Sequence, residues 1–132
     1  MNDVVSPLKT RRQQLAERAF AAVQQTRTEL KPGTFNEYVS IAKAFPALLH
    51  TSGLCQATAF AESKKGSHLT VLEDVTTTLN LAGVKTAHDL AGNARSSSVA
   101  DYMQLSRHAL DAATWIKRYA EALSMEETTH VD

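Results

Sequence analysis

Ser98-Val-Ala-Asp-Tyr-Met-Gln-Leu-Ser-Arg-His-Ala-Leu-Asp-Ala-Ala-Thr-Trp-Ile-Lys-Arg-Tyr-Ala-Glu-Ala-Leu-Ser124 is the stretch that decides the fold. Tyr102, Leu105, Ala109, Ala112, Ala113, Ile116, Ala120 and Leu123 recur three or four positions apart, so they fall on one stripe of a helix from Val99 to about Ser124. Ser98, the last of three consecutive serines, is placed to cap it, with Asp101 three residues on. This is the longest helix the chain predicts. Alanine is the best helix former and the chain has twenty, against five glycines and three prolines, so the rest of the sequence leans the same way.

Working outward, the glycines Gly33, Gly53, Gly66, Gly83 and Gly92 read as joints between helix-length pieces. Ser6-Pro7 predicts a helix start, with Leu8, Leu15, Ala19, Ala22, Val23, Thr26 and Leu30 on one face of a helix over 7–29. Lys31-Pro32-Gly33 ends it, and Thr34 with Glu37 reads as the capping box of a second helix. Tyr38, Ile41, Ala42, Phe45 and Leu49 keep helical spacing there, with a kink or break expected near Ala44–Phe45 because Pro46 removes a donor. A third helix is expected over 53–64 and a fourth over 67–81, the latter despite β-branched Val71, Val75, Thr76, Thr77 and Thr78. Residues 86–91 make one short turn or helix, and 125–132 read as a frayed acidic tail. The expectation is all-α: one compact bundle of five to seven helices, a single domain over 1–132, longest helix at the C-terminus.

At 132 residues the chain can bury roughly two-thirds of its unfolded surface without metals or disulfides. Fourteen Lys/Arg balance fourteen Asp/Glu, which argues against a free-standing, strongly basic nucleic-acid binder. The balance hides a split: residues 1–65 carry nine basic and five acidic side chains, residues 66–132 five and nine. Such a chain presents a dipolar surface, one side suited to polyanions. The lone Cys55 cannot form an intrachain disulfide, no apolar run approaches a membrane span, and Met1–Arg12 lacks the apolar region of a signal peptide. The expected location is cytoplasmic, with no membrane partner.

No phosphate-binding glycine loop, dinucleotide fingerprint, cysteine knuckle or His-Glu-x-x-His occurs, and His50, His68, His88, His108 and His130 never pair at ligand spacing. Ser40-Ile-Ala-Lys43 matches an acylating Ser-x-x-Lys by chance, without its companion motifs. Cys55 has no base beside it and reads as a small packed hydrophobe; His108 and Asp111 read as not facing one another. No catalytic set, metal site or cofactor is expected. What remains is cationic surface. Arg11 and Arg18 share an edge of the first helix, with Arg12 near its start, and Arg107 and Arg118 share an edge of the last, with Lys117 close by. Such edges hold phosphates without reading sequence. The bland alternative is solvated charge with local partners, Asp111 for Arg107 and Glu121 for Lys117. Trp115 and Tyr119 flank the apolar stripe, with packing as their first reading and base stacking the second.

Three stretches carry a resemblance: Arg12-Gln-Gln-Leu-Ala-Glu-Arg-Ala-Phe20; Tyr38-Val-Ser-Ile-Ala-Lys-Ala-Phe-Pro-Ala-Leu-Leu-His50 running into Gly53-Leu-Cys-Gln-Ala-Thr-Ala-Phe-Ala61; and Thr114-Trp-Ile-Lys-Arg-Tyr-Ala-Glu-Ala-Leu123. In order and spacing they resemble the small helical subunit of the Cmr complex, the type III-B CRISPR-Cas effector, over about 10–124. Cys55 and Thr58 are small departures, and 66–98 carries no matching motif. The resemblance implies an α-helical, non-catalytic subunit whose copies stack in a short filament. Its basic surface would line the channel holding guide RNA and target RNA, touching mainly target-strand phosphates. Arg12, Arg18, Lys43, Lys117 and Arg118 lie in matched segments; Gln56 and Pro46 also match and read as packing or bend positions. Arg11 and Arg107 rest on the helical-edge argument alone. Implied partners are the other Cmr subunits, further copies of this chain, and the two RNAs. The competing function is a stand-alone helical adaptor or helix-turn-helix regulator, whose recognition helix would be 86–92 or 53–64. The first of these has no basic residue beyond the flanking Lys85.

Overall fold

Thr10, not Ser6, starts the first helix. In the computed structural model, which describes residues 8–130 with side chains through Ser124, the Gln13 amide donates to Thr10 Oγ1 at 3.0 Å. The Thr10 amide in turn donates to the Gln13 side chain at 2.8 Å, so α1 runs Arg11–Glu29 behind a complete capping box. The Ser6-Pro7 start falls outside the described residues, and Leu8, expected on the apolar face, is 99% exposed. The face itself forms as expected: Ala19, Ala22, Val23 and Thr26 are buried.

Helix α2, Pro32–Ser52, begins three residues earlier than a Thr34 cap predicts, with Lys31 at the cap position. Pro32 at its first position suits a missing donor and a fixed φ, and no side chain caps the helix. Glu37 instead accepts from Ser67 Oγ at 2.8 Å, tying α2 to the fourth helix. Of the kink or break expected near Ala44–Phe45, the break does not occur; α2 is continuous through Pro46. Proline forfeits one ladder bond there, while Ala42, Phe45 and Leu49 on either side stay in the core.

The third helix, α3 (Leu54–Lys64), follows Gly53, whose φ of +85° only glycine adopts freely. Tyr102 Oη sits 3.5 Å from where a Cβ on Gly53 would lie and accepts the Cys55 amide at 3.0 Å. Helix α4 (Gly66–Leu79) ends on Asn80 in the left-handed conformation. Its buried threonines are tolerated because Thr76 Oγ1 and Thr78 Oγ1 donate to the carbonyls of Leu72 and Asp74, each at 2.8 Å. Helix α5 spans Ala87–Ser96, longer than the short turn expected over 86–91. Thr86 and Asp89 form its capping box, and Gly92 lies inside it rather than at a joint. Helix α6, Val99–His130, is the longest; the Asp101 amide reaches Ser98 Oγ at 3.3 Å. It continues past the end expected near Ser124, through His130; of the frayed tail expected over 125–132, residues 131–132 fall outside the described residues.

Among the described residues there are six helices and no strand. Helix α6 packs against α1, α2 and α4, while α3 and α5 pack on one another. Arg11 meets His108 and Phe20 meets Tyr119, so α1 and α6 run parallel; Leu49 and His50 border the same cleft as Tyr102 and Ser106, so α2 runs antiparallel to α6. The stripe read from the sequence of α6 is buried from Leu105 through Leu123, and Tyr102 is half-buried. Inside this core Asp74 of α4 accepts from Thr26 Oγ1 of α1 at 2.7 Å and from Tyr38 Oη of α2 at 2.5 Å.

Candidate nucleic-acid interface

Because α1 and α6 run parallel, the first turn of α1 lies beside the third and fourth turns of α6. Three of the seven cationic candidates meet there. Arg11, Arg12 and Arg107 line a cleft of about 290 Å³ with Leu15, His108 and Asp111. Arg11 Nη2 donates to His108 Nε2 at 2.5 Å. A guanidinium has no acceptor, so Nε2 is the lone-pair nitrogen and the neutral ring carries its proton on Nδ1. Burial foremost, then the charge of Arg11, holds the His108 imidazole below its ordinary value; Asp111 pulls it upward and Arg107 adds to the lowering. The expectation that His108 and Asp111 do not face one another is corrected: three residues apart on α6, they border the same cleft.

Two arginines in the first turn of α1 run against the helix dipole, whose positive end favours anions, and that turn holds no acidic residue. With Arg107 opposite, three guanidinium groups face the single carboxylate of Asp111. Neither Arg107–Asp111 nor Lys117–Glu121 closes into an ion pair among the described residues.

The other candidates lie elsewhere. Arg18 is half-buried, and its Nε donates to the Thr78 carbonyl at 2.8 Å, in the last turn of α4. It borders a small cavity with Arg11, Leu79 and His108. Arg118 is exposed on the same edge of α6 as Arg107, about 16 Å further along at 1.5 Å per residue. Lys117 beside it is half-buried. Lys43 is exposed on α2, two turns before His50, which shares a cleft with Arg107. Trp115 stacks on Tyr119 at 5.7 Å, and Tyr119 meets Phe20 edge-on at 5.3 Å. These rings join α1 to α6 by packing on each other.

Asp74 went unread in the sequence as a core residue, although Val71, Asp74 and Thr78 share a face of α4. Among the described residues, no group of three or more His, Cys, Asp or Glu side chains could hold a metal ion, and no helix is long and apolar enough to cross a membrane.

A family model described as CRISPR-associated protein (Cas_Cmr5) matches residues 11–123, which contain all seven cationic candidates. The chain belongs to the Cmr5 family. A curated Cmr5-family relative, the "CRISPR system Cmr subunit Cmr5" of Thermus thermophilus, is 34% identical over 120 residues, covering 90% of this chain and all of the relative. The crystal structure of a CRISPR-associated Cmr5 family protein, also from Thermus thermophilus, superposes with a TM-score of 0.77 at 36% identity, over 87% of this chain and 98% of that one. The Cmr5 match spans residues 66–98 as well, where the sequence offered no motif.

Proposed function

We propose that this chain is the non-catalytic small subunit of a type III-B Cmr effector complex in the cytoplasm. It stacks with copies of itself in a short filament and holds the guide–target duplex through phosphate contacts on the α1/α6 face. Membership of the Cmr5 family supports the place in the complex. The observation that carries the RNA contact is the convergence of Arg11, Arg12 and Arg107 on one cleft, with Arg118 continuing the same edge of α6. Phosphate contacts position a strand without reading it, and they act through counterion release. A subunit with no net charge therefore binds RNA weakly alone, while repeated copies raise affinity by effective concentration.

The test uses the assembled complex. Arg107 and Arg118 are both exposed on α6, so Arg107→Ala with Arg118→Ala is expected to leave the subunit folded. Target affinity falls for all sequences alike, and the slope of log affinity against log salt shallows by about 0.7–0.9 for each phosphate that is no longer neutralised. Unchanged affinity and slope in a normally assembled complex would move the RNA surface elsewhere. Failed assembly would make these arginines protein–protein contacts.

A further inference from the structure

We propose that the α1/α6 cleft takes up a single phosphodiester group together with a proton, with His108 as the residue that is protonated. The proposal rests on the phosphate-binding reading above and adds to it a pH dependence and a sequence of contacts. In the free chain Arg11 is held against the lone pair of a neutral His108, so one of the three guanidinium groups is occupied by an internal contact. That contact exists only while Nε2 lacks a proton; a protonated ring turns Nε2 into a donor and repels Arg11. A phosphodiester entering between Arg11, Arg12 and Arg107 places negative charge beside the ring and reverses the balance. His108 then gains its proton, donates from Nε2, and releases Arg11 to the same anion.

The charged groups facing His108 are accounted for on each element. Arg11, Arg12 and Arg18 come from α1, and Arg107 and Asp111 from α6 itself. Asp101 borders a second cleft that His108 also lines, with Leu81 of the α4–α5 connection and Asn93 of α5. Guanidinium groups cannot give up their protons, and imidazole is the side chain here whose ordinary charge change lies between about pH 5 and 8, with His108 held below its ordinary value. Proton uptake makes binding tighten as pH falls through that window.

The probe is a short oligouridylate, whose phosphodiester charge is constant across the window. The full chain is titrated with it at low salt near pH 5.5 and near pH 7.5. Wild type is expected to bind about fivefold more tightly at the lower pH, and the His108 ring, followed by NMR, to hold its proton to higher pH when the oligouridylate is bound. His108→Asn is expected to abolish the pH dependence. Arg12→Ala with Arg107→Ala is expected to weaken binding at both values. If the arginine variant weakens binding while His108→Asn keeps the full pH dependence, the phosphate site stands and proton uptake falls. If the arginine variant binds as wild type at both values, the phosphate site in this cleft falls, and proton uptake with it. A His108 titration that does not move on adding oligouridylate overturns the proposal even if His108→Asn fails to fold.

Discussion

Asp74 places a carboxyl group inside an apolar core, where two hydroxyls, from Thr26 and Tyr38, both donate to its Oδ2. Burial is the main force on it and lifts its pKa to about 6. The two donated hydrogen bonds pull the value down, and Glu29 and Glu73 push it up. Tyr38 is driven upward too, by burial first and then by Asp74. The folded chain therefore holds the Asp74 proton more tightly than the unfolded chain, whose value is near 3.9. The stabilising contribution of that proton is complete below about pH 4 and is lost as pH rises through about 6, a change of roughly 3 kcal/mol. Asp74→Asn keeps an acceptor for both hydroxyls and cannot ionise. Urea unfolding near pH 4.5 and pH 7.5 should show the variant gaining on wild type by about 2 kcal/mol at the higher value. A difference between the two proteins that does not change with pH would contradict the buried ionisable reading. Asp74 was hard to read because an acid in a helix ordinarily faces water, and its partners lie 48 and 36 residues away in sequence.

Between elements, Arg18 docks α1 on the end of α4. Its Nε reaches the Thr78 carbonyl, one of the last-turn carbonyls that a helix leaves without an internal partner. Arg18→Ala is accordingly expected to cost about 1–2 kcal/mol in chemical unfolding, against less than about 0.5 for Arg118→Ala, which has an exposed side chain. Equal effects would show that Arg18 contributes nothing to the docking. The apolar stripes of α1, α2 and α6 were legible because their periodicity is local, and Ala19, Phe45 and Ile116 lie where it put them. Starts and stops were less so. Thr10 with Gln13 is an equally local signal, but Ser6-Pro7 drew the start of α1 away from it; the start of α5 at Thr86 was read, and Gly92 cut its end short. Pro46 is the opposite case: a correct local rule was overridden by burial of the side chains on either side.

At the scale of the whole molecule, the cationic surface depends on a fact no local pattern contains, that residues 11–12 lie beside residues 107–108. The sequence offered seven basic candidates: Arg11, Arg18, Arg107 and Arg118 on helix edges, Arg12 and Lys117 near them, and Lys43 from a segment that carries the resemblance. The fold gathers Arg11, Arg12 and Arg107, turns Arg18 inward, and adds His108 and Asp111. The half-chain charge asymmetry is likewise folded across α1 and α6, so the acidic C-terminal half supplies two of the basic candidates on the exposed edge, Arg107 and Arg118. The most direct measurement is a structure of the assembled Cmr complex containing this chain with target RNA bound. The α1/α6 face is expected to turn toward the target-strand backbone, with Arg11, Arg12 or Arg107 within hydrogen-bond distance of a phosphate and Arg118 beside a neighbouring stretch of the same strand. An α1/α6 face covered by another protein subunit, or turned to solvent while the RNA runs along a different surface, would contradict it.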